Sequence, residues 1–204
     1  MAVRELRGKS AEGDGAGERA EPTLEASRAP VRNLTEPFTE GFRLLALDIE
    51  RMLEGGTNRS VVVLSAMPKE GRTTVASHLA RALTEIVDPV ALIDANPPPM
   101  RARETRDRHP YQLISPWNRA ETQAGVIDHI RKVLDKAQQA SGMVVMDVPA
   151  ATTSSLGFFL APIAGGVLYL ARPDRIRDLA VTSAVRAQLD LLGARILGVV
   201  VNEG

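Results

Sequence analysis

Five short runs, at residues 61–65, 90–93, 143–146, 166–171 and 196–201, are apolar at successive rather than alternate positions. Strands covered on both faces carry this pattern, which predicts a parallel sheet. Between the runs, apolar residues recur every three or four positions. Val75, Leu79, Ala82 or Leu83 and Ile86 predict a helix over Thr73–Ile86. Val126, Ile127, Ile130, Val133, Leu134 and Ala137 predict a second near Glu121–Ala140, and a third over about Arg177–Leu192 is closed by Gly193. Ahead of the first strand, Phe38, Phe42, Leu45, Ile49 and Met52 or Leu53 form another helical stripe, entered at Glu36 with Pro37 suited to the first turn. Strand and helix alternate, so the expected class is α/β: a doubly wound, mostly parallel sheet with helices on both faces.

Residues 1–35 are rich in Gly, Ala, Glu, Arg and Ser and lack a sustained apolar period, so they are expected to be a disordered N-terminal tail before a single domain at 36–204. Formal net charge is zero, which gives no global attraction to nucleic acid or an anionic membrane. Without cysteine the chain has no disulfide, thiolate nucleophile or Cys-based metal site. No apolar run approaches the roughly 20 residues of a membrane span. The expectation is a cytoplasmic protein that reaches the inner membrane only through a partner.

The candidate chemistry begins where the first strand ends. Ala66-Met67-Pro68-Lys69-Glu70-Gly71-Arg72-Thr73 fits the phosphate-loop template G-x-x-x-x-G-K-[ST] at its second glycine and its hydroxyl, with Ala for the first glycine and Arg for the lysine. In such a loop, backbone N–H groups and the next helix's N-terminus face the phosphates, and the hydroxyl binds Mg²⁺. Lys69, Glu70, Gly71, Arg72, Thr73 and Thr74 are therefore the candidate nucleotide-binding residues. Arg72 keeps a cation, but its planar fork is longer and bulkier than an ammonium. Only four of the 25 basic residues are Lys, so general drift toward Arg is the competing reading.

Two further apolar runs end in acids: VALIDANPPP at Asp94 and MVVMDVPA at Asp147. Parallel sheets deliver carboxylates to the ligand crevice at such strand ends. Asp147 fits a Walker B acid that holds Mg²⁺. Thr73, Asp94 and Asp147 are the candidate metal ligands, and Arg72, Asp94 and Asp147 the candidate catalytic set. Either acid alone is more often a turn former at a strand end; two of them after a phosphate-loop-like strand favour the metal site.

The order SAMPKEGRTTVASHLARAL, VALIDAN, MVVMDVPA, LAPIAGGVLYLARPDRIRD and LGARILGVVVNEG resembles the bacterial tyrosine kinase (BY-kinase) family, relatives of the Min and Par ATPases, over roughly residues 37–204. The resemblance implies a P-loop NTPase fold, ATP and Mg²⁺ as cofactors, and a membrane polysaccharide co-polymerase or export protein as partner. It also places Asn202 near the nucleotide base; a strand-terminating turn is the alternative. In the family an E-x-x-R-x-x-R helix mediates self-association, and Glu40 and Arg43 match it where Ala46 does not. A homo-oligomer is expected on that ground, against the alternative of a helix simply packed on the sheet.

The chain departs from the family where the chemistry is concentrated. Asn96 replaces the second acid of D-x-D, Pro97–Pro99 displace an expected arginine, and Arg72 replaces the loop lysine. An amide oxygen binds metal weakly and accepts no proton usefully. The family's tyrosine-rich tail is not matched, since the two tyrosines are Tyr111 and Tyr169, the latter inside an expected core strand. The resulting reading is a nucleotide-binding regulator of exopolysaccharide or capsule synthesis or export with an incomplete catalytic set. The alternatives are an active ATP-dependent protein tyrosine kinase or ATPase of the same pathway, and a Min/Par-like positioning ATPase.

Residues 97–120 combine prolines, an arginine cluster and Trp117, and read as a solvated loop, short relative to the family by a strand or a substrate-facing element, with phosphate or acidic-partner binding by the arginines as the alternative. His78, His109 and His129 have no ligand spacing.

Overall fold

A computed structural model describes residues 2–4, 40–97, 110–117, 123–172 and 179–202. Seven strands, β1 (Ala2–Arg4), β2 (Ser60–Ser65), β3 (Val90–Asp94), β4 (Gln112–Ile114), β5 (Met143–Asp147), β6 (Gly166–Ala171) and β7 (Ile196–Val201), form one sheet in the order β1-β7-β6-β2-β5-β3-β4. Six of them run parallel, and β1 adds antiparallel to β7 at the edge. The expected α/β class and mostly parallel sheet are what the chain adopts. Every residue of β2 and β5 is buried, which is why these strands carry no polar alternation.

The pleat sends alternate residues of each strand to opposite faces. Val61, Val63, Val145 and Leu168 meet α1 (Glu40–Leu53) and α2 (Arg72–Leu83) on one side. Val62, Leu64, Val144, Met146 and Tyr169 meet α3 (Gln123–Ala140), α4 (Leu156–Leu160) and α5 (Leu179–Leu191) on the other. The chain places β3 and β4 on one side of β2 and β6 and β7 on the other, so the winding reverses at β2, where such sheets open a crevice at the strands' C-terminal ends.

Several boundaries differ from the periodicity. α2 stops at Leu83, three residues before Ile86; the Thr84 hydroxyl donates to the Arg81 carbonyl at 2.7 Å, and Ile86 is exposed. Residues 112–114, expected to be loop, form β4 and pair with β3. Three residues of the expected tail, Ala2–Arg4, are a strand, and both strands are too short to show a period. The rest of the tail, the starts of the predicted helices at Glu36, Glu121 and Arg177, and most of the arginine cluster lie outside the described residues. α5 ends as expected, with Gly193 in the left-handed region at φ 70°.

Candidate functional site

The loop after β2 is set by two residues with positive φ. Gly71 (φ 92°) caps α2, and the carbonyl of Gly71 accepts the first helical bond from Val75 N–H at 2.9 Å. The positive φ favours glycine at position 71, and a Cβ there would also displace the Asn202 side-chain nitrogen. Lys69 (φ 64°) adopts a left-handed conformation without being glycine, which costs roughly 1–2 kcal/mol. Alternation of handedness along a turn is how backbone nests for anions are built. The buried Glu70 carboxylate accepts the Met67 N–H at 2.9 Å and braces the turn from within.

Arg72 stands on the first residue of α2, and its guanidinium folds back under the loop. Nε donates to the Val148 carbonyl at 2.9 Å, while Nη1 donates to Ser65 Oγ at 2.5 Å and to the Met67 carbonyl at 2.9 Å. Burial works against its charge and lowers its pKa, an effect that Asp147 and Glu70 oppose. Sequence reasoning did not single out Ser65, whose hydroxyl also donates to Met67 O at 2.9 Å. The one signal it gives is a serine ending the apolar run Val61–Leu64 in a strand buried throughout.

Asp94 and Asp147 close adjacent strands in register, so β3 and β5 bring both acids to one place. The Thr73 hydroxyl donates to Asp147 Oδ2 at 2.7 Å. Asn96 Nδ2 donates to that same oxygen at 2.7 Å and to Asp94 Oδ1 at 2.9 Å, so the amide that replaced an acid bridges the two that remain. Asp147 is 1% exposed, and its Oδ1 has no hydrogen-bond partner among the described residues. Burial pushes its pKa up to about 6, with Asp94 adding repulsion and the Thr73, Arg72 and Asn96 contacts opposing.

These residues fit Mg²⁺ and a nucleotide. Asp147 Oδ1 is a buried anionic oxygen lacking a donor, beside a hydroxyl with lone pairs and a second carboxylate, at the N-terminus of a 12-residue helix. The set is lean: among the described residues no three or more His, Cys, Asp or Glu side chains are grouped to hold a metal. Thr73, Asp94 and Asp147 would hold the ion, and the loop amides the phosphates. Thr74 is exposed on the first turn of α2, and Lys69 is exposed on the loop. Asn202, following β7, donates from Nδ2 to the Glu70 carbonyl at 3.0 Å and so lies against the loop.

Other candidates fall elsewhere. A concavity of about 740 Å³ between α4 and α5, with Phe158, Phe159 and Val181 in its wall, is lined among the described residues by apolar and uncharged polar side chains. Arg43 is held within the chain by Glu85 at 2.7 Å, and Ala46 is buried against the core, so the third position of the self-association pattern faces inward. Tyr111 and Tyr169 are both buried, and neither is presented as a phosphoacceptor. Among the described residues no helix is long and apolar enough to cross a membrane.

No family model matches the chain. It is 24% identical over 220 residues to the succinoglycan biosynthesis transport protein ExoP of Rhizobium meliloti (strain 1021), a match covering 89% of this chain and 27% of that protein. The chain thus spans about a quarter of the length of the curated relative it matches. The kinase domain of Escherichia coli tyrosine kinase ETK superposes with a TM-score of 0.67 at 19% identity, covering 80% of this chain and 74% of that one. A ParA family ATPase from Chlorobium tepidum TLS superposes at 0.50 with 15% identity, covering 71% and 72%. The motif order and the sheet therefore agree: the chain has the P-loop fold of the bacterial tyrosine kinase domains and resembles a segment of a succinoglycan transport protein.

Proposed function

We propose that the chain is a BY-kinase-like nucleotide-binding module that regulates exopolysaccharide or capsule synthesis or export. The observation that carries this reading is the pairing of Thr73 with buried Asp147, whose second oxygen is left without a partner at the N-terminus of α2. A buried carboxylate oxygen without a donor is costly, and a divalent cation with nucleotide phosphates would remove the cost. The likeness to ExoP supplies the pathway.

ATP with Mg²⁺ is the proposed ligand. Asn96 in place of an acid removes one negative charge from the metal site and any general base at that position. Arg72 is turned beneath the loop, and both tyrosines are buried. Binding that reports nucleotide occupancy to a partner fits these features better than autophosphorylation. The proposed partner is a membrane polysaccharide co-polymerase or export protein, contacting the face around the loop and α1, with self-association of the chain as part of the same assembly.

Deletion of the gene should reduce or alter secreted polysaccharide, and an Asp147→Ala variant that folds normally should fail to restore it. Unchanged polysaccharide in the deletion strain would overturn the pathway. Full rescue by Asp147→Ala would overturn the dependence on nucleotide. A Min/Par-like positioning ATPase is the weaker reading, because Met67 stands where those proteins are expected to carry a second loop lysine.

A further inference from the structure

We propose that this loop reads a diphosphate and is indifferent to a third phosphate, because Ser65, Met67 and Val148 hold the Arg72 cation beneath the loop. The inference rests on the reading of the loop as a nucleotide site. In loops of this kind the backbone amides cradle the inner phosphates, while the cation at the position of Arg72 reaches the outer ones. That second contact is the one through which a side-chain cation of the loop meets the third phosphate that distinguishes ATP from ADP.

Here the cation is committed elsewhere. Nε is aligned on the Val148 carbonyl at 2.9 Å, and Nη1 on Ser65 Oγ at 2.5 Å and Met67 O at 2.9 Å. Ser65 is fully buried and donates its own proton to Met67 O, so its oxygen has lone pairs left for the guanidinium. Withdrawing Arg72 toward an outer phosphate would take a guanidinium donor from the carbonyl of buried Val148 and another from the oxygen of buried Ser65, which is the expensive way to lose a hydrogen bond. A lysine would keep the charge but not the planar fork that places Nε on the Val148 carbonyl and Nη1 on Ser65 Oγ, so the arginine and the buried serine make sense together. The partnerless Oδ1 of buried Asp147 nearby points independently to a ligand at this helix end.

Calorimetric titration of the full chain with ADP and with ATP, at the same Mg²⁺ concentration, tests this. Dissociation constants within twofold of each other are expected, and Arg72→Lys should make ATP at least tenfold tighter than ADP. ATP binding more than tenfold tighter in the unmodified chain would overturn the inference and leave the nucleotide reading intact. Binding of neither nucleotide by folded protein would overturn both. If Arg72→Lys does not fold, the ratio in the unmodified chain decides alone. A double-mutant cycle of Ser65→Ala with Arg72→Lys in the ligand-free protein should show non-additive losses of melting temperature, because each change breaks the same contact; additive losses would mean that Ser65 does not hold Arg72.

Discussion

The Asn202 side chain donates to the carbonyl of Glu70 at 3.0 Å and lies where a Cβ of residue 71 would be, so the end of β7 clamps the loop after β2. Two segments 132 residues apart in the chain are thereby fixed at the mouth of the crevice. Asn202→Ala should destabilise the ligand-free protein by about 1 kcal/mol, the usual worth of one such bond. Urea unfolding checks this, and an unchanged midpoint would show that the clamp contributes nothing before ligand arrives.

Asp147 makes stability depend on pH in a definite direction. Its pKa is raised from 3.8 to about 6 on folding, so the protonated form is favoured in the native state. The associated stability is fully present below the unfolded value and is lost as pH rises through about 6, an effect of about 2–3 kcal/mol at roughly 1.4 kcal/mol per unit. Asp147→Asn should remove this slope. Denaturant midpoints between pH 4 and 7 should fall more for the unmodified chain than for the variant, and parallel curves would contradict the account.

Lys69 holds a left-handed backbone that disfavours its side chain. Glycine adopts φ 64° freely but loses more entropy on folding, so Lys69→Gly should be neutral or stabilising by up to about 1 kcal/mol. Lys69→Ile, β-branched at the same φ, should destabilise by about 1–2 kcal/mol relative to glycine. Thermal melts of the two variants should fall in that order.

Asn96→Asp would put a third carboxylate against Asp94 and Asp147, replacing a donor that satisfies both. The ligand-free variant should lose about 1–3 kcal/mol near neutral pH through an unpaired buried charge. Millimolar Mg²⁺ should recover much of that loss while shifting the unmodified chain less. Equal Mg²⁺ shifts in the two melting temperatures would show that Asn96 does not limit the metal site.

The sheet was legible because its strands are buried on both faces, and unbroken apolar runs such as Val61–Leu64 and Met143–Met146 mark strands covered on both sides in an alternating α/β pattern. β4 was not, since Gln112–Ile114 is a half-exposed edge segment of three residues. The positions of the acids were legible from the ends of their apolar runs, and that of the loop hydroxyl from its place two residues after Gly71. The orientation of Arg72 was not, because it depends on a carbonyl 76 residues away and a serine that reads as an ordinary strand terminus. The bridging role of Asn96 was hidden for a related reason: sequence registers the lost acid but not the donor that takes its place between Asp94 and Asp147.

The central claim is that Thr73 and Asp147 form a working metal–nucleotide site at the start of α2. Calorimetric titration of folded protein with millimolar ATP, with and without Mg²⁺, tests it most directly. Weak binding that Mg²⁺ strengthens, with the Mg²⁺-dependent gain lost in Asp147→Ala, is the predicted result. No detectable binding, or binding indifferent to both Mg²⁺ and Asp147, would contradict it.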